Sequence, residues 1–177
     1  DAVVDAAQAT LRARLADLES AAAPAEQRGQ VTILFADIVD FTALAETMDA
    51  EDIRDLVDSF WQRMDTAIKN HGGGIDKHIG DAVMAVWGAR AAREDDPERA
   101  VRAALAMQTE AKAFAAESAN PPLRIRIGIN TGPVLIGAVG TTGENTVMGD
   151  AVNTASRLEE AAPSGAVLIS HDTYRHI

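Results

Sequence analysis

The sequence predicts an α+β fold, with helices packed on a largely antiparallel sheet. Strand-like and helical segments mix in the order β-α-α-β-β-α-β-β-α-β, without the regular alternation of a doubly wound parallel sheet. Two of the strands meet at Gly80-Asp81, a dipeptide that suits a tight hairpin and so antiparallel pairing. At 177 residues the chain is long enough for one domain with a good core and a short appendage, and hardly for two domains.

Residues 1 to about 22 are rich in alanine, with Val4, Gln8, Leu11, Leu15, Leu18 and Ala22 spaced alternately by four and three. That spacing fits a coiled-coil seam, and over so short a stretch it fits a helix packed on its own domain equally well. Pro24 and Gly29 break the pattern, which divides the chain into an N-terminal helix and linker at 1–28 and a main domain at 29–177. Because the chain starts without methionine and stops at Ile177, it reads as a piece of a longer protein.

Val31 to Ile38 has the composition of a buried strand, and Phe41 to Asn70 reads as helix interrupted near Asp49-Ala-Glu. Leu56, Phe60 and Met64 recur at helical spacing and are core residues. His71-Gly72-Gly73-Gly74 stops the helix, and Ile75–Ile79 and Ala82–Trp87 form the hairpin strands. Asp95, Asp96 and Pro97 open a helix reaching about Ser118, which Asn120-Pro121-Pro122 ends. Leu123 to Asn130 alternates, with Arg124 and Arg126 on what reads as a solvated face and Ile125, Ile127 and Ile129 on the other. A further strand at Val134–Val139, a loop at Gly140–Asn145, a helix at Ala151–Ala161, a strand at Val167–Ser170 and a short last helix complete the chain.

The formal charge of -11 and pI near 4.7, with no basic stretch, argue against a nucleic-acid or acidic-lipid binder. A polyphosphate bound here needs its charge neutralised by metal ions and a few placed cations. Absence of cysteine excludes disulfides and thiolate metal sites and is compatible with a cytoplasmic location. No apolar run approaches the roughly 20 residues that span a bilayer, although a parent protein could be anchored elsewhere.

Asp37 ends the first strand and Asp81 sits at the hairpin turn. Two acids delivered at strand ends suit a hard divalent cation, which shares one or two carboxylates with substrate phosphates. After Asp37 the run Ile38-Val-Asp40-Phe41-Thr42 turns strand into helix, where free amides and the Thr42 hydroxyl can meet phosphate oxygens. Lys77 precedes Asp81 by four residues, and Asn153 and Arg157 share one helix face. An amide and an always-charged guanidinium suit charge developing on a phosphate, although an ordinary exposed pair has the same spacing. His71, His78, His171 and His176 are scattered, without ligand spacing.

The segments VTILFADIVDFT, DKHIGDAVMAVWG and VMGDAVNTASRLE resemble the catalytic domain of the class III nucleotidyl cyclases, the adenylyl and guanylyl cyclases. The similarity covers about residues 31 to 177, with three long motifs in order. It implies a ferredoxin-like, palm-type sheet, and conversion of ATP to 3',5'-cyclic AMP and pyrophosphate by attack of the ribose 3'-hydroxyl on the α-phosphate. Position by position it implies that Asp37 and Asp81, with the Ile38 carbonyl, hold two ions, Mg²⁺ or Mn²⁺. Asn153 then orients the ribose, Arg157 stabilises the transition state, and Lys77 and Thr146 select the purine.

Thr146 departs from the aspartate of many adenylyl cyclases and resembles the subgroup that responds to bicarbonate, which makes bicarbonate a regulator to test. A further triphosphate-binding lysine of the family falls beyond Ile177, so the catalytic domain reads as C-terminally incomplete. The family's sites lie between two domains. A chain carrying both residue sets therefore implies a homodimer with two equivalent sites, which residues 1–28 would hold and connect to upstream signals. The rival readings are a guanylyl cyclase, disfavoured by Lys77, and a catalytically silent nucleotide-binding regulatory module.

Overall fold

The computed structural model describes residues 27–117, 123–139 and 144–177, so the N-terminal helix expected at 1–22 lies outside the described residues. The elements run β1 (Gln27–Ile38), α1 (Phe41–Ala45), α2 (Ala50–Asn70), β2 (Gly74–Ile79), β3 (Ala82–Trp87), α3 (Asp96–Glu117), β4 (Ile125–Val139), β5 (Glu144–Met148), α4 (Asp150–Ala161), β6 (Val167–Ile169) and α5 (His171–Tyr174). They form an α+β domain on a six-stranded sheet of order β2-β3-β1-β4-β5, with β6 also on β4. All pairings are antiparallel except β4 with β6. Among the described residues no helix is long and apolar enough to cross a membrane.

Period-two alternation on β1 builds two cores. Leu34, Ala36 and Ile38 join Val83, Ala85, Trp87, Ile125, Ile127 and Ile129 beneath α2 and α3. The helices contribute Phe60, Met64, Ala103 and Met107 to this core, and the Phe60 ring meets Phe114 edge-on at 5.3 Å. Val31, Ile33 and Phe35 face the other way, in a cluster with Met84, Val86, Val134, Val147, Ala151 and Ala155. Both faces of the sheet are covered.

The predicted glycine stop ends α2 as expected: Gly72 has φ 76, and the Gly73 amide donates to the Ile68 carbonyl at 3.0 Å. Gly80, with φ 62, turns β2 into β3. Three expectations are corrected. The strands expected at Leu123–Asn130 and Val134–Val139 are one strand, β4, because β1 pairs beside it continuously from Ile38↔Ile125 to Gln27↔Ile136, and Pro133 is accommodated opposite Gln30. Glu144–Met148 forms β5 against the outer end of β4 rather than continuing a loop. Arg124 is exposed as expected, but Arg126 is only partly so, since α4 packs over that side of β4.

That packing needs a missing side chain. A Cβ at Gly128 would lie 2.1 Å from the Glu159 amide nitrogen and 2.4 Å from the Ala155 carbonyl oxygen, both backbone atoms of α4. Gly128→Ala should therefore lift α4 and destabilise the domain by about 1–3 kcal/mol in urea unfolding. Gly74→Ala, whose Cβ would come no nearer than 3.7 Å to the Val86 carbonyl oxygen, should stay within about 0.5 kcal/mol of the parent.

Candidate active site

Register assembles the acidic end of the site. Asp37 is opposite Ala82 on β3, and the Ile38 amide donates to the Asp81 carbonyl at 3.4 Å, so the hairpin turn brings Asp81 beside the end of β1. On its other side Asp37 pairs directly with Arg126 of β4. Directly opposed residues of an antiparallel pair share a face, and an Arg126 terminal nitrogen donates to Asp37 Oδ2 at 2.8 Å. Arg126 Nε lies 2.6 Å from Glu159 Oε1 on α4, an ion pair out of line for a hydrogen bond, which leaves both buried atoms without one. Sequence reading missed Arg126 and Glu159 as site residues; only the register of β1 on β4 exposes them.

Asp37 and Glu159 flank the Arg126 guanidinium, and Asp81 lies close enough to Asp37 to act on its carboxyl, so three acids gather around one cation. Burial first, and then the charge of Asp81, hold the Asp37 carboxyl above its ordinary value of 3.8, against the lowering effect of Arg126. Glu159 is also raised, first by burial, with Arg126 opposing. An oxygen donor set with uncompensated negative charge fits a divalent cation. Among the described residues no group of three His, Asp or Glu is arranged to hold a metal alone.

Asp40 takes a left-handed conformation, φ 59, and turns the chain from β1 into α1, where Phe41 is half-buried and Thr42 exposed. Lys77 and Thr146, 69 positions apart in sequence, share Asp76: the Thr146 hydroxyl donates to Asp76 Oδ2 at 2.6 Å, and Lys77 Nζ lies 3.3 Å from the same oxygen. Asp76 was not singled out from the sequence. Asn153 and Arg157 are exposed on the outer face of α4 and make no hydrogen bond or ion pair among the described residues. His78 packs against the Trp61 ring and lies 3.3 Å from Asp65, an ordinary edge-strand histidine. A cleft of about 880 Å³ is lined by Asp76 and Thr146 and by none of Asp37, Lys77, Asp81, Asn153 or Arg157. The chain thus carries an acidic pair, a base-sized polar pair and a free amide–guanidinium pair at separate places.

The family model of the adenylate and guanylate cyclase catalytic domain matches residues 23–177. The chain is 38% identical over 137 residues to Adenylate cyclase 1 of Rhizobium meliloti (strain 1021), covering 75% of this chain and 21% of that protein, so it spans about a fifth of that relative's length. The adenylyl cyclase CyaB from P. aeruginosa superposes with a TM-score of 0.82 at 38% identity, over 86% of this chain and 82% of that one. The guanylyl cyclase Cya2 superposes with a TM-score of 0.82 at 31% identity, over 85% and 79%. The chain belongs to the class III nucleotidyl cyclase catalytic domain family.

The Asp37 titration has a definite sign. A folded-state value above 3.8 means that stability linked to this group is fully present below the ordinary value and is lost as pH rises through the raised one. Asp81→Asn should lower the Asp37 midpoint and Arg126→Met should raise it, read as opposite displacements of its carboxyl carbon resonance in a metal-free pH titration.

Proposed function

We propose that this domain is an adenylyl cyclase that works as a homodimer. The single observation that carries the reading is the separation just described. One chain holds all three residue sets, yet the cleft at Thr146 contains neither the acidic pair nor Arg157. A two-fold dimer lets the acidic pair of one subunit face the purine and transition-state residues of the other.

In the reaction the ribose O3'–Pα bond forms as the bond from Pα to the bridging oxygen of pyrophosphate breaks, and the 3'-hydroxyl proton is lost. Asp37 and Asp81, with the Ile38 carbonyl, would hold two ions, Mg²⁺ or Mn²⁺, whose chemistry is to acidify the 3'-hydroxyl and neutralise triphosphate charge. Arg126, held between Asp37 and Glu159, would keep a guanidinium beside the acids that hold the ions. Phe41 and Thr42 bring the first amides of α1 and a hydroxyl toward the triphosphate. From the other subunit, Asn153 orients the ribose and Arg157 stabilises charge developing at Pα. Lys77 donates to adenine N1 and Thr146 accepts from the N6 amine, a pattern that guanine inverts. Bicarbonate regulation rests on Thr146 alone, and flat activity across a bicarbonate titration at fixed pH would remove it.

Purified protein given ATP or GTP with Mn²⁺, then chelator, should make cyclic AMP from ATP and stop on chelation; cyclic GMP from GTP in its place would select the guanylyl reading, and no product the silent module. Asp37→Asn and Arg157→Ala should each lower kcat by about 10²-fold or more. Mixed in equal amounts, the two inactive variants should recover roughly a quarter of parental activity, because half the dimers then hold one intact site of two. No recovery on mixing, with dimers present, would sink the shared-site arrangement.

A further inference from the structure

We propose that Asp76 sets the base preference of this domain by fixing the hydrogen-bonding sense of Thr146 and the position of Lys77, an inference that rests on the adenylyl cyclase reading above. A threonine hydroxyl alone is ambiguous, since it has one proton to donate and lone pairs that accept. Free to rotate, it would serve the N6 amine of adenine or the O6 of guanine. Here its proton goes to Asp76 Oδ2, 2.6 Å away. An ionised carboxylate can only accept, so Thr146 is left to present lone pairs to a base. The same Oδ2 lies 3.3 Å from Lys77 Nζ, which tethers the neighbouring ammonium while leaving protons to donate. One carboxylate thereby turns an indifferent pair into a donor beside an acceptor. That is the complement of adenine N1 and N6, and the wrong sense for both corresponding groups of guanine.

The backbone places Asp76 for this. Ile75 pairs with Ala85 and Lys77 with Met84, so Asp76 is the extra residue of a β-bulge in β2. A bulge re-aims a side chain and recurs next to active sites. Its side chain is 8% exposed while that of Lys77 is 43% exposed, so the carboxylate is turned in and the ammonium out. A cleft of about 880 Å³ opens beside Thr146 and Asp76, with Lys77 outside its lining. The role assigned to Asp76 is that of a positioning residue acting through Thr146 and Lys77.

The test compares kcat/KM for ATP and GTP in the full chain, its Asp76→Asn and Thr146→Val variants, and the double variant. Asparagine keeps a hydrogen bond to Thr146 but can supply the proton itself, which releases the hydroxyl to donate to guanine O6. Asp76→Asn should lower the ATP-to-GTP preference on the order of tenfold. Thr146→Val should lower it comparably, and the double variant no further than the larger single effect. A role confined to tying β2 to β5 would lower both substrates together and leave the ratio unmoved. Displacement of a fluorescent ATP analogue by ATP and by GTP reads the same ratio if a variant loses turnover. An unchanged ratio in Asp76→Asn, or additive effects in the double variant, overturns the proposal while leaving the adenylyl reading intact. A parent that prefers GTP or turns over neither nucleotide overturns both.

Discussion

The pairing of β1 with β4 is the constraint on which the rest of the domain depends. It runs unbroken over the whole of β1 and sets Asp37 opposite Arg126, Phe35 opposite Gly128 and Ile33 opposite Asn130. Those three β4 positions face α4. Arg126 meets Glu159, Gly128 admits the helix backbone, and the Asn130 side-chain amide donates to the Ala151 carbonyl at 2.9 Å. A slip of one residue would turn each of them to the opposite face, among the isoleucines under α2 and α3. The acidic centre and the seat of α4 are therefore consequences of the same register.

Much of the architecture was legible because local chemistry and global packing agree. The apolar run of β1, the glycines after α2, the turn at Gly80 and the helical period through Leu56, Phe60 and Met64 each predict an element found where expected. What escaped was long-range. Thr131-Gly132-Pro133 looks like an interruption locally, yet β1 supplies partners straight through it. Glu144–Met148 has little strand character of its own and is a strand because the outer end of β4 is beside it.

The candidate site divides along the same line. Asp37, Asp81, Lys77, Asn153 and Arg157 stand in the contiguous motifs that carry the cyclase resemblance, so the sequence offers them as candidates. Arg126, Glu159 and Asp76 contact partners 89, 33 and 70 positions away, and no short window along the chain contains both members. Arg126 is the instructive case. Alternation correctly put it across the strand from the isoleucines, but periodicity cannot say whether a helix covers that side. The answer came from two glycine-sized gaps, at Gly128 and Gly132, that let α4 lie close.

One rigid helix, α4, has business on both sides. Its buried edge holds Glu159 against the guanidinium that tempers its own subunit's acids, and its outer edge carries Asn153 and Arg157 away from them. Seated backbone-to-backbone at Gly128, it has little freedom to yield on one edge without shifting the other. In a two-fold pair, each such helix would belong to two catalytic centres simultaneously. Occupancy of one centre would then be mechanically audible in its twin, giving the pair a route to cooperative turnover that requires no additional domain.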